Sequence, residues 1–424
     1  MNVTDRQYAL DLDKNDPLAH FKSKFVITDP AMCYLDGNSL GRLPHATVVA
    51  VNNFLTQEWG PEVVTGWSHW VDEAQPVGDL IGEATLGAAK GQVLACDTTS
   101  VNFYQLCLAA IKARPGRKTI ITDTANFPTD RYILDGIAKE FGLNLVLIDN
   151  ESAGPIKHER ITAEILAPYL NDDVALVTLE VIQYRSGART DIKSITDLVR
   201  SHGGLVVWDA SHAVGAIEMN FDANGVDLAV GCTYKYGNSG PGAPAWLYVS
   251  HSMQKQLQVP IQGWFSQADQ FGMGPVFEKA DGIRSFQIAS PSLIGLRCIK
   301  TSFEIIKEAG IDAIAHKAAV GTQMMIDLYD AWLAPLGMEL NTSRDPKERG
   351  GHISLVHPDA ARICVALREF ANVIPDYRTP NSIRLAISPL PTSYVEVWDG
   401  FERIRDLVST RQYEKVKEGG SRVT

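Results

Sequence analysis

Between about residue 66 and residue 250 the chain alternates short apolar runs with amphipathic stretches, and few folds accommodate that order. Runs at 119–122, 145–148, 174–179 and 205–208 read as strands, and 131–141 and 192–201 between them read as helices. Strands joined through helices pair in parallel, because a crossover must bring the chain back to the same end of the sheet. The runs are nearly unbroken in apolar character, as expected for strands covered on both faces. The expected architecture is α/β, a mostly parallel sheet flanked by helices. After about residue 295 the pattern changes. Long helical stretches at 293–309 and 311–332 precede short strands at 351–356 and 382–387. A last helix at 395–409 carries Val397, Trp398, Phe401, Ile404 and Leu407 as its apolar stripe. This reads as a smaller α+β domain joined by the N-terminal segment, which gives a large domain at 66–295 and a small one from 1–65 and 296–424.

Charge and composition narrow the functional classes. With 39 basic and 50 acidic residues in 424, the net charge is −11, so no general attraction to nucleic acid or to an anionic membrane is expected. No 18-residue apolar run occurs, and 1–16 lacks the apolar core of a secretion signal. The six cysteines form no CxxC pair, and the ten histidines show neither HxxxH nor HExxH spacing. A metal site is therefore not expected, and reduced thiols in a cytoplasmic protein are.

In open α/β sheets ligands sit beyond the carboxyl ends of the strands, and several chemically suggestive residues fall there. Lys235 lies between Tyr234 and Tyr236, after the largely apolar run 227–231 and before a Gly/Pro-rich turn. It suits a Schiff base to an aldehyde cofactor, or a turn lysine. Asp209 closes the strand at 205–208, where an acid pairs with a pyridinium nitrogen or caps a helix. Asp97-Thr98-Thr99-Ser100 precedes a helical stretch at 101–113, giving an anion cradle or a simple cap. Phe127, held by Pro128 and followed by Thr129 and Asp130, is placed to stack on a planar ring or to end an ordinary βα loop. Arg384 sits inside an apolar strand and needs a counter-charge, either a substrate carboxylate or an internal partner. Hydroxyl cradle, stacking aromatic, strand-end acid and strand-flanked lysine, in that order, form the layout of a fold-type I pyridoxal-phosphate enzyme.

The chain resembles the kynureninase family over nearly its whole length. The shared motifs are Tyr34-Leu35-Asp36-Gly37-Asn38-Ser39-Leu40-Gly41, Asn126 to Asp130, Trp208 to Gly215, Gly231 to Gly242, Gly263-Trp264-Phe265, Arg349 to Ser354 and Ile383-Arg384. The resemblance implies a seven-stranded large domain, pyridoxal 5'-phosphate as cofactor, and a homodimer with active sites at the subunit interface. It implies hydrolysis of L-kynurenine, or of a ring-substituted kynurenine, to an anthranilate and L-alanine. On that analogy Lys235 is the Schiff-base lysine and the base at Cα, Asp209 holds the pyridinium, and Tyr234 donates a proton to the β-carbon. Thr99, Ser100 and Tyr234 hold the phosphate, with Trp264 and Ser290 reaching it from the neighbouring subunit. Phe127 stacks on the ring, and Pro128, Thr129, Asp130, Glu180 and His212 complete the cofactor shell. Arg384 takes the α-carboxylate, with Tyr104, Asn38 and Ser39 near the substrate.

Some positions depart from the family pattern. Glu180 stands where a small hydroxyl residue is common, and Tyr104 where animal enzymes carry a histidine. Gly237 replaces a leucine, which opens space beside the lysine. Ser239, the pair Ser266-Gln267 and the stretch around Ser290 also differ. These changes are expected to touch the part of the site that sees the aryl ketone. Rival readings are a different β-acyl amino acid, an aminotransferase or cysteine desulfurase on the same scaffold, and a non-catalytic binding module. A desulfurase needs an exposed nucleophilic cysteine, whereas Cys364 lies in an apolar helical stretch.

Overall fold

The computed structural model describes residues 2–151 and 157–417. A short strand β1 (Cys33–Tyr34) precedes the central sheet, which takes seven strands: β2 (Val93–Cys96), β3 (Thr119–Asp123), β4 (Asn144–Ile148), β5 (Val174–Glu180), β6 (Leu205–Asp209), β7 (Leu228–Gly231) and β8 (Ala245–Val249). Their order is β2-β8-β7-β6-β5-β3-β4, and only β8 runs antiparallel to its neighbours. The expected mostly parallel sheet is present. The alternation did not single out β2 or β8, which pair side by side at one end of it. Every residue of β5 and β6 is buried, as their unbroken apolar character requires.

Local chemistry sets the helix ends around the sheet. The helix Pro128–Phe141 starts on a proline, whose missing N–H is no loss in the first turn, and stops at Gly142 with φ 63°. It therefore begins three residues before the expected start at 131. The helix Thr99–Lys112 is capped by Thr98, whose Oγ1 accepts the N–H of Val101 at 3.3 Å. The helix expected over 311–332 instead ends at Leu328. Tyr329–Leu333 continues as one wider turn, and Pro335 then bars regular helix.

A second sheet is antiparallel, in the order β12 (Asp376–Arg378), β13 (Ser382–Ala386), β10 (His352–Val356), β9 (Glu339–Leu340). β1 pairs in parallel with β11 (Val373–Ile374), which ties the N-terminal segment to this layer. The helix Arg6–Asn15 docks there too, with Asp13 accepting the N–H groups of Tyr394 and Val395 at 2.7 and 3.0 Å. Lys317 and Asp16 form a buried ion pair at 2.7 Å beneath it. Among the described residues, no helix is long and apolar enough to cross a membrane.

Candidate active site

Strand register brings the acids together first. Glu180 and Asp209 are direct neighbours at the carboxyl ends of β5 and β6. Asp123 ends β3 on the other side of β5, and Asp130 lies one turn into the helix that follows β3. Asp209 Oδ1 accepts the N–H of Ser211 at 2.6 Å, and the chain continues in turns rather than a helix, so Asp209 caps no helix here. Beyond these strand ends lies a cavity of about 280 Å³, walled by Thr98, Thr99, Ser100, Phe127, Thr129, Asp130, Glu180, Asp209, Ser211, His212, Tyr234 and Lys235. A larger hollow, about 600 Å³, is lined by Arg114, Arg200, Asp222, Asp227, His251 and Ser250 but by no lysine. Chemistry rather than volume therefore selects the smaller one.

Lys235 reaches into the cavity from the turn after β7. Its Nζ lies 3.3 and 3.2 Å from the two ring nitrogens of His212 and 5.9 Å from the centroid of Phe127. Burial lowers the lysine's pKa, while the charges of Cys232 and Asp209 oppose the shift. Burial, then the charges of Lys235 and Arg384, holds His212 well below its ordinary range, so its ring is neutral. Tyr236, the other flanking tyrosine, turns away from the cavity into the core beside Gly351. The Tyr234 phenol is pushed up, first by the neighbouring Cys232 and then by burial, so it keeps its proton at neutral pH. Burial, reinforced by Asp209, raises Asp130 well above the carboxylate range. Glu180 is raised in the same way, by burial and then by Asp209, Asp123 and Asp130.

Not every expected residue reaches the wall. Arg384 is fully buried behind His212 and bonded to internal partners: Ser39 Oγ at 2.9 Å, His212 Nε2 at 3.2 Å, the carbonyl of Tyr184 and the carboxylate of Asp376. Its counter-charge in this structure is thus Asp376, a residue that sequence reasoning missed. Ser39 joins the same cluster, donating to Asp376 at 2.7 Å, and Asn38 is buried with neither side-chain polar atom hydrogen-bonded among the described residues. Pro128 opens its helix beside Phe127 without lining the cavity, and Tyr104 packs half-buried on the main core. Trp264 and Ser290 are exposed and away from the cavity of their own chain. Thr98, read as part of the anion cradle, lines it, and so do Ser211, Gly242, Ala243 and Ala245, to which no role was given.

The departures resolve differently from expectation. Gly237 opens no space: a Cβ there would meet the Thr233 carbonyl and, at 3.1 Å, the ring of Phe303 from the helix Leu293–Ala309. Ser239 bonds Ser302 of that same helix at 2.8 Å. Gln267 ties its own loop, donating to the Val276 carbonyl at 3.1 Å and accepting from Glu278 N–H at 2.6 Å. Of the departing positions, Glu180 alone lines the cavity of this chain.

Residues 314–404 match the family model described as kynureninase C-terminal domain. The chain is 31% identical over 423 residues to the kynureninase of Pseudomonas fluorescens, covering 98% of both. It is 33% identical over 417 residues to that of Burkholderia pseudomallei (strain K96243), covering 96% of both. Among solved structures it resembles a C-DES mutant with glycine covalently linked to its PLP cofactor (TM-score 0.75, 16% identity, 96% of this chain and 98% of that one). It also resembles the apo cysteine desulfurase of Thermococcus onnurineus NA1 (TM-score 0.73, 15% identity, 96% and 98%). At such identities the structural likeness carries the fold alone.

Proposed function

Because this chain belongs to the kynureninase family, we propose that it hydrolyses the Cβ–Cγ bond of L-kynurenine, or of a ring-substituted kynurenine, to an anthranilate and L-alanine with pyridoxal 5'-phosphate. The observation that carries the reading is the convergence of Lys235, Asp209, Tyr234 and the Thr99–Ser100 helix start on one cavity. The residues present fit the cofactor. One primary amine enters the cavity, an acid lies at its sheet end, and hydroxyls stand at the N-terminus of the 14-residue helix Thr99–Lys112. When bound, the cofactor supplies an aldehyde for the substrate amine and a pyridinium ring as electron sink.

The chain's own groups carry the protons. Thr99, Ser100 and the free N–H groups of their helix would hold the phosphate, and Asp209 the ring nitrogen. Phe127 would cover one ring face. Lys235, its pKa lowered by burial, would serve as the base that takes the Cα proton of the substrate. Tyr234, protonated at neutral pH, would give a proton to the β-carbon as the Cβ–Cγ bond breaks. The α-carboxylate is assigned to Arg384, which in this structure bonds His212 and stands off the cavity wall. Asp376 shares its guanidinium in this structure, so the substrate carboxylate competes with or adds to that partner.

The proposal extends to a homodimer in which Trp264 and Ser290 complete the partner's phosphate site. Exposed Trp264, Phe271, Met273 and Val276, and a second apolar stretch with Trp59, Val63 and Val64, support it. A cytoplasmic location is in keeping with six cysteines, none in a disulfide. Cys364 is 1% exposed within the helix Ala360–Phe370, and burial lifts its thiol to about 12, so it offers no desulfurase nucleophile. Purified enzyme incubated with kynurenine and with 3-hydroxykynurenine is expected to release the matching anthranilate and alanine from at least one. Release from neither would end the assignment.

A further inference from the structure

Glu180 ends β5, is 3% exposed, and among the described residues makes one side-chain hydrogen bond: its Oε2 accepts the N–H of Tyr184 at 3.2 Å, closing the turn at 181–183. That same Tyr184 offers its carbonyl to Nη1 of Arg384. Its ring meets Phe127 edge-on, with centroids 5.4 Å apart. One residue therefore touches the ring-covering aromatic through its side chain and the buried arginine through its carbonyl, and Glu180 holds its N–H. Arg384 has Ser39, His212 and Asp376 as its remaining partners, and its Nε is left without one among the described residues.

The charge state of Glu180 fits this use. Asp123, Asp130 and Asp209 surround it, and burial with their fields favours the neutral acid. A neutral carboxyl still accepts an N–H through its carbonyl oxygen, so the bond to Tyr184 survives protonation.

We propose that Glu180 is a positioning residue for Arg384: by anchoring the Tyr184 N–H it fixes the carbonyl on which the guanidinium rests, and so sets how Arg384 meets the α-carboxylate of the amino-acid substrate. The proposal rests on the reading of Arg384 as the carboxylate's partner. It is tested with the holoenzyme and two ligands that share an amine but differ at the carboxylate, alanine and alaninamide, followed by the change in cofactor absorbance on binding. Glu180→Leu is expected to weaken alanine by about tenfold, the scale of one buried hydrogen bond, and to leave alaninamide unchanged. Glu180→Gln, whose amide oxygen accepts the same N–H, is expected to stay within about twofold of the parent for both. An unchanged alanine-to-alaninamide ratio in Glu180→Leu overturns the proposal, as does equal weakening of the two ligands, which would mean that Glu180 acts on the cofactor itself. If Glu180→Leu fails to retain cofactor, Glu180→Asp takes its place, since the shorter carboxyl withdraws from Tyr184. No ratio shift there overturns the proposal too. Arg384→Lys separates the premises. If it leaves the ratio unchanged, the carboxylate reading of Arg384 falls, and with it the role of Glu180. A ratio shift in an enzyme that does not split kynurenine removes the substrate assignment and leaves the role of Glu180 standing.

Discussion

Asp123 performs no step in the proposed reaction, yet its environment gives it a measurable signature. Its Oδ1 accepts from Asn150 at 2.8 Å and from Gln183 at 3.1 Å, while Oδ2 has no partner among the described residues. Burial raises the carboxyl from 3.8 to about 7, against the pull of those two donors. The folded chain thus holds this proton more tightly than the unfolded chain does. The stability it contributes is present below the unfolded value and is lost as pH rises towards 7. Asp123→Asn keeps the acceptor and cannot ionise. Relative to the parent, it is expected to gain on the order of a few kcal/mol between pH 5 and pH 8. Urea unfolding at both pH values checks this, because the difference between the two proteins cancels the other titrating groups. A parent and variant that move in parallel with pH would show that Asp123 is not a buried acid. At the same scale, Lys235, Asp209 and Phe127 were legible from sequence, because each stands at or just beyond the carboxyl end of an apolar run. The link from Glu180 through Tyr184 to Arg384 was not, since it depends on where a turn after β5 meets a strand some 200 residues on.

At the scale of elements, the N-terminal segment is part of the lysine's support. Gly41 donates its N–H to the Tyr234 carbonyl at 2.8 Å. A Cβ at Gly41 would press on the Lys235 carbonyl and come within 2.7 Å of Asn238 Cα. Gly41→Ala therefore has to push the 34–41 segment off the turn that carries Lys235, an overpacking of about 1–3 kcal/mol. We expect cofactor affinity to fall by roughly tenfold or more with secondary structure intact, read by cofactor titration alongside circular dichroism. Unchanged affinity would mean that the two segments move independently. The sequence marked 34–41 as a motif without saying what it touches. Helices and buried parallel strands announce themselves through local periodicity, whereas docking of one segment on another is written in no local pattern. For the same reason Gly237 read as added space: nothing nearby in sequence shows that Phe303 fills it.

At the scale of the whole molecule, the proposal that two chains share each site is tested directly by subunit mixing. Trp264 is 44% exposed and stands among further exposed apolar side chains, Phe271, Met273 and Val276. It packs edge-on to Phe265 at 4.5 Å and to Phe271 at 6.2 Å and does not line the cavity of its own chain. If Trp264 serves the partner's phosphate, Lys235→Ala and Trp264→Ala damage the same active site from opposite subunits. Each homodimer is then impaired, Lys235→Ala fully. Unfolded together and refolded, half of the dimers are mixed. Each mixed dimer holds one site with both defects and one with neither. In a two-fold dimer that arithmetic returns about a quarter of the parental activity. If Trp264 instead acts within its own subunit, every site in the mixture keeps one defect and the activity stays at the average of the two variants. Recovery to about a quarter therefore requires both a dimer and a shared site, and its absence, with dimers seen by sedimentation, would confine each active site to one chain.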